Sequence, residues 1–104
     1  MGATLEHDGW MLERGDERAE RDLGFAMPPK AARHALAPGS RVRLTFVFTL
    51  GDGSVEGETL SVTVTEHTGD GAYLGALTEE PISSEALAAG AVIAFDADHV
   101  VAID

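Results

Sequence analysis

The chain of 104 residues contains no cysteine. Disulfides and thiolate metal sites are therefore excluded, and the composition suits a reducing, cytoplasmic setting. Aromatic residues make up 6% of the chain, with one Trp, one Tyr and four Phe, so Trp10 stands alone of its kind. No apolar run approaches the roughly 20 residues of a membrane span, and the N-terminus lacks an apolar stretch of signal-peptide length. Met1-Gly2 opens like an acylation site, but Glu6 stands where Ser or Thr is needed. Positive charge is missing from most of the chain. All seven Lys and Arg residues lie in the first 43 positions, together with seven acids, whereas residues 44–104 carry eleven acids and neither Lys nor Arg.

The whole net charge of -11 therefore belongs to residues 44–104. Such a body repels phosphate, which argues against nucleic acid or an anionic membrane as partner. It suits a basic protein partner, and equally a solubility device or adaptation to a salty cytoplasm. At 44% hydrophobic residues the chain is no disordered acidic tail, and its length fits a single domain with a modest core.

What is present is mostly strand pattern. In residues 41–50 the side chains alternate, with Val42, Leu44, Phe46, Phe48 and Leu50 on one face and Arg41, Arg43, Thr45, Val47 and Thr49 on the other. A period of two with β-branched and aromatic residues predicts a half-buried strand. Gly51-Asp52-Gly53-Ser54 follows as a turn. Further strands are predicted through Leu60, Val62 and Val64, over 72–77, over 91–95 and over 100–103. Pairing residue 50 with 55 would set apolar against polar faces. The expected register instead pairs Phe46 with Leu60, Leu44 with Val62, Val42 with Val64, Thr45 with Ser61 and Arg43 with Thr63. It implies a five-residue loop or a bulge near Gly57. It also sets Glu58 opposite Phe48 and Glu56 opposite Leu50, making the core side of the hairpin tip amphiphilic.

Pro28-Pro29 predicts a short helix before the first long strand. Ser83 or Ser84 predicts the cap of a second one, closed at Gly90. Residues 1–27 read as a polar leader ahead of a β-rich domain at 28–104. Within the leader, residues 8–12 suggest a turn and a short edge strand. Residues 13–22 suggest a solvated helix or a mobile loop. Leu23, Phe25 and Met27 suggest a return to the barrel.

Motifs with recognised chemistry are absent: there is no nucleophile elbow, no phosphate loop ending in Lys-Ser/Thr and no His-Glu-x-x-His. Asp96, Asp98 and His99 offer alternating oxygen ligands and a nitrogen, the one pattern suited to a divalent cation, although Asp is equally at home in a turn. His7, His34 and His67 have no companion at ligand spacing. Glu79-Glu80 stands on a turn before Pro81, where carboxylates are solvated rather than catalytic. Trp10 is either an interface anchor or a pin for the leader.

Residues 39–104 resemble the YegJ-like domains of unknown function, small bacterial domains. The resemblance runs through four segments. Gly39-Ser40-Arg41-Val42-Arg43-Leu44-Thr45-Phe46 is similar to the family's Gly-Asp-x-Val-Lys-x-x-Phe strand, and Glu58-Thr59-Leu60-Ser61-Val62 to its Glu-x-hydrophobic-Trp-Val strand. Residues 71–81 are similar to its x-Gly-x-Leu-x-Asn-x-Pro hairpin. Residues 90–95 with 100–104 are similar to its Gly-x-x-Val-x-Phe … Ile-x-Asp ending. Ser61 replaces the family's Trp, and Glu79-Glu80 replaces its Asn. The resemblance implies a small β-rich fold and brings no established chemistry.

These readings converge on an α+β protein: a bent antiparallel sheet or open five-stranded barrel with two short helices. The expected function is a non-enzymatic protein-interaction module without a cofactor, whose contact surface is the hairpin tip at Phe48, Leu50, Glu56 and Glu58. The alternatives are a small-molecule or divalent-metal binder, with or without enzymatic activity, at Asp96, Asp98 and His99. An immunity protein or nucleic-acid mimic directed against a basic toxin is the third.

Overall fold

The alternation of residues 41–50 becomes strand β2, Arg41–Thr49, in a computed structural model that describes residues 8–22 and 24–104. Val42, Leu44, Phe46 and Phe48 are fully buried on one face. Three further predicted strands form as β4 (Ala72–Leu77), β5 (Val92–Asp96) and β6 (Val100–Ile103). The second predicted strand is longer than its pattern suggests: β3 spans Val55–Gly69. It can be so long because it serves two partners, β2 along Val55 to Thr63 and β4 from Val62 to Gly69. Irregularities between Val64 and Glu66 and between His67 and Gly69 bend it where it passes from one to the other.

A sixth strand, β1 (Trp10–Leu12), supplies the expected edge. β1 and β6 share one side of β2, β1 along Phe46–Phe48 and β6 along Val42–Leu44, while β3 takes the other side. The sheet runs β1-β2-β3-β4-β5, and a 3-10 turn at Ala97–His99 swings the chain from β5 into β6 and so back to β2. The result is an α+β fold built on a curled antiparallel sheet, an open half-barrel. Its core joins Leu12, Leu36, the four inward residues of β2, Leu60, Val62, Val64, Tyr73, Leu77, Ile93, Phe95 and Val100.

The hairpin register corrects the sequence expectation. Phe46 pairs with Glu58, Leu44 with Leu60, Val42 with Val62, Thr45 with Thr59 and Arg43 with Ser61. Each partner is shifted by two residues from the expected one, so every side chain keeps its face but meets a different neighbour. The turn decides this. Leu50 and Ser54 close the loop through Leu50 N–H to Ser54 O at 2.8 Å, leaving Gly51-Asp52-Gly53 between them. Gly53 N–H returns to Leu50 O, and Gly53 adopts φ +86°. This is the three-residue hairpin loop whose last position is left-handed. The Asp52 carboxylate locks it by accepting both the Ser54 amide and hydroxyl.

Of the two helices among the described residues, α1 (Gly15–Arg21) lies in the polar leader and α2 (Lys30–Arg33) follows Pro28-Pro29. The helix predicted from Ser83 or Ser84 to Gly90 does not form, and residues 78–91 are irregular. A few Ala and Leu residues cannot meet the cost of helix nucleation alone, and the amides of this segment bond to side chains instead. Ser84 Oγ accepts from Ala86 N–H and a Glu80 oxygen from Ala89 N–H.

The leader is clasped to the barrel at the 3-10 turn. Arg14 reaches Asp98 at 3.1 Å, and Arg33 donates to the Ala97 carbonyl at 2.9 Å and to Asp98 at 3.3 Å. Met27 packs over Gly15, where a Cβ would sit 2.8 Å from its terminal methyl. Arg18 lies over the Phe25 ring at 4.5 Å. Leu23 and residues 1–7, which include His7, fall outside the described residues.

Candidate interaction cleft

The far end of the β2–β3 hairpin meets the irregular 78–91 segment, and an open cleft of about 630 Å³ lies between them. Thr49, Leu50 and Gly51 form one wall. Glu80, Pro81, Ile82, Ser83, Ser84, Glu85, Leu87 and Ala88 form the other. Ile82 is 94% exposed, the most exposed large hydrophobic residue among those described. No Lys or Arg lines the cleft, and none occurs anywhere from residue 44 onward.

Carboxylates hold the outer wall in place. Glu58 extends from β3 and accepts the amides of Ile82, at 2.9 Å, and Ser83, at 2.8 Å. Burial pushes its carboxyl up, but the bonds from Ile82 and Ser83 outweigh this and hold it below its ordinary value. A Glu79 oxygen accepts the Ser61 amide at 2.6 Å, and the Thr78 hydroxyl donates to the Ser61 carbonyl at 2.9 Å. Ser61, where the resembled family carries Trp, is therefore buried beneath this strap.

The four residues expected at the contact surface separate into three roles. Phe48 is 0% exposed and stacks on Phe46 with ring centroids 6.2 Å apart, so it supports the tip from below and offers no contact surface. Glu58 faces its own chain. Leu50 lines the cleft, and Glu56 is exposed opposite Phe48. Ile82, Leu87, Glu80 and Glu85 are additions that the sequence pattern does not place there. Their signal is a 14-residue stretch, 78–91, without strand alternation, a length at which irregular loops are commonly functional.

Asp96, Asp98 and His99 are engaged in structural bonds. The Asp96 carboxylate accepts the Asp98 amide at 3.0 Å, and His99 Nδ1 accepts the Asp96 amide at 3.1 Å, together a capping box. Asp98 faces Arg14 and Arg33. Burial pushes His99 below its ordinary value near 6.5, with Asp96 opposing and Arg14 reinforcing the shift. The proton of the neutral ring therefore sits on Nε2, since Nδ1 must accept. Among the described residues no three His, Asp or Glu side chains converge as a metal set. Arg14 is in turn raised by its hydrogen bond to Asp16, whose carboxyl that bond holds down. His34 lies 3.5 Å from Asp70, and His67 stacks on Tyr73 at 4.7 Å. Trp10 packs partly buried against Phe46, at 5.7 Å.

The resemblance to YegJ-like domains rests on the four sequence segments alone: no protein-family model, curated protein or solved structure matches the chain.

Proposed function

We propose that the chain is a non-enzymatic interaction module that receives a basic segment of a partner protein in the cleft between the hairpin tip and the 78–91 strap. The observation that carries this reading is the pairing of an exposed apolar residue, Ile82, with a cleft rimmed by Glu80 and Glu85 and lined by no Lys or Arg. An acidic rim raises the encounter rate of a cationic partner, and desolvated apolar contacts then hold it. Leu50, Ile82 and Leu87 are the anchors, and Glu56 and Glu85 supply the steering charge. Work in the cytoplasm belongs to the same reading, because the chain has no cysteine. No helix among the described residues is long and apolar enough to cross a membrane.

Panning a random peptide library on the full chain tests this chemistry, whatever the natural partner is. Retained peptides are expected to combine Arg or Lys with a bulky apolar residue, and to be lost on the double variant Ile82→Asp, Glu85→Lys. A retained set without positive charge, or one unaffected by the double variant, would remove the cleft as the binding surface.

A further inference from the structure

Strand β5 leaves one edge of the sheet open. Leu77 N–H donates to the Ala91 carbonyl and Ala97 N–H to the Gly71 carbonyl. Between these bonds the register sets Ile93 opposite Gly75 and Phe95 opposite Tyr73. Antiparallel ladders alternate, so the odd-numbered residues of β5 bond to β4, and Val92, Ala94 and Asp96 turn their backbone groups outward. The Asp96 amide is taken by His99. Among the described residues β5 pairs with no strand other than β4, which leaves the N–H and C=O of Val92 and Ala94 without a ladder partner.

The side chains match this openness. Val92 is 72% exposed and Ala94 is exposed, while Ile93 and Phe95 point into the core. None of residues 90–95 is charged and none is proline. The β4–β5 ladder is regular, without a bulge. The edge thus lacks the devices by which exposed strands are usually shielded from pairing: Lys, Pro, a bulge or an inward charge. The neighbouring row is apolar as well, with Ala76 beside Val92 and Leu74 beside Ala94.

We infer that β5 is a homotypic docking edge, to which a second copy of the chain adds its own β5 antiparallel about a two-fold axis through Ile93. In that register Val92 faces Ala94 of the second copy and Ala94 faces its Val92, and each pair exchanges both of its backbone bonds. Charge favours the same register. Asp96, the acid at the end of the strand, comes opposite Gly90 of the second copy. The two Asp96 residues then stand at opposite ends of the paired strands, about 20 Å apart at the usual rise per residue. That exceeds the Debye length of about 8 Å at physiological salt. Slipping the axis to Ala94 would draw the two carboxylates closer and set Val92 of each copy opposite Asp96 of the other, whose amide His99 already holds. The self-complementary spacing points to a second copy as the occupant of this edge.

A five-residue edge buries less than the roughly 1,200 Å² of a standard interface, and each copy brings a net charge of -11. Pairing is therefore weak and is opposed by long-range repulsion, which salt screens. Self-association should strengthen with ionic strength, whereas cationic partner binding in the cleft should weaken. The two surfaces can thus be told apart in one buffer series.

Sedimentation velocity of the full chain over a concentration series, in about 0.05 M and about 0.5 M NaCl, is the test. The expected result is a concentration-dependent dimer, at least several-fold tighter in high salt, with the Val92 and Ala94 amides slowing in hydrogen exchange as the dimer fills. Val92→Lys should stay monomeric with an unchanged melting temperature. Ala94→Pro should do the same, because the N–H it removes points outward and the ladder to β4 is kept. Ile82→Asp should dimerise like the wild type. A wild type that is monomeric throughout would overturn the inference. So would a dimer that survives Val92→Lys, one that weakens with salt, or one lost in Ile82→Asp.

Discussion

Gly53 decides which glutamate stands opposite which phenylalanine. Its left-handed backbone completes the three-residue loop, and that loop pairs Glu58 with Phe46 and Glu56 with Phe48. The alternation of residues 41–50 makes the two faces of β2 legible in the sequence, because hydrophobic burial reads side chains by parity. Register is not legible to the same degree. A shift of two preserves every face, and a Gly-Asp-Gly segment accommodates a loop of three or of five residues. The choice falls to the left-handed Gly53, supported by a bond that the pattern does not encode, from the Ser54 amide to the Asp52 carboxylate. No atom lies within 4 Å of a Cβ added at Gly53, so Gly53→Ala isolates the backbone term. It should lower unfolding stability by about 1–2 kcal/mol. Urea titration checks this, as a lower midpoint with an unchanged slope.

At the scale of elements, two short segments are held by polar side chains rather than by strand or helix pattern. The 78–91 strap is held by carboxylates that accept backbone amides. Its Ala86-Leu87-Ala88-Ala89-Gly90 run has the composition of a helix end, which is why pattern alone predicts a helix there. Local pattern cannot show that Glu58, on β3, is the partner of Ile82 and Ser83. Glu58→Ala should therefore speed amide exchange at Ile82 and Ser83 by about ten-fold or more, since a lost charge-assisted bond is worth about 1.5–3 kcal/mol before solvent screening. Amides in β2 and β4 should be unaffected, and equal acceleration across the sheet would show that Glu58 supports the whole fold instead.

The corner at Ala97–His99 is the second such segment. Its Asp and His residues suggest ligands by spacing, and the bonds of the capping box and the clasp explain the same spacing. His99 accepts the Asp96 amide only as a neutral ring. Its folded value lies below the ordinary 6.5, so the unfolded chain binds more protons in that window and stability rises with pH there. The contribution is complete above pH 6.5 and is lost as pH falls toward the folded value. The ring is flanked by Asp96 and Asp98 from its own turn and by Arg14 and Asp16 from the leader. Glu58 adds a second loss in more acid solution, since its folded value also lies below its ordinary 4.5. Equilibrium unfolding followed from neutral pH downward should show stability falling first below pH 6.5. His99→Gln should flatten that first limb and leave the more acid one. An unchanged first limb in the variant would assign it to another group.

The whole molecule separates charge by sequence position. Its cations lie in the leader, in α2 and at the start of β2, with Arg14 of the leader and Arg33 of α2 clasping the 3-10 turn, while residues 44–104 hold acids and neither Lys nor Arg. This asymmetry is fully visible in the sequence, because counting needs no structure. The closure of the half-barrel is not. It depends on β6 returning to β2 across about sixty residues, with Val42 opposite Ile103, and no local period signals such a pairing. The cleft has the same origin: it joins a turn at Leu50 to a strap at Ile82 that only the fold brings together. A basic partner drawn to that cleft should owe its rate of association to long-range attraction and its residence to the apolar wall.

Affinity capture from a lysate of the source organism, run in low and in high salt with the wild type beside the Ile82→Asp, Glu85→Lys variant, tests this most directly. The cleft reading predicts a basic protein that the wild type retains in low salt, releases in high salt, and that the variant fails to hold. A protein held equally by both forms, or held regardless of salt, would contradict it.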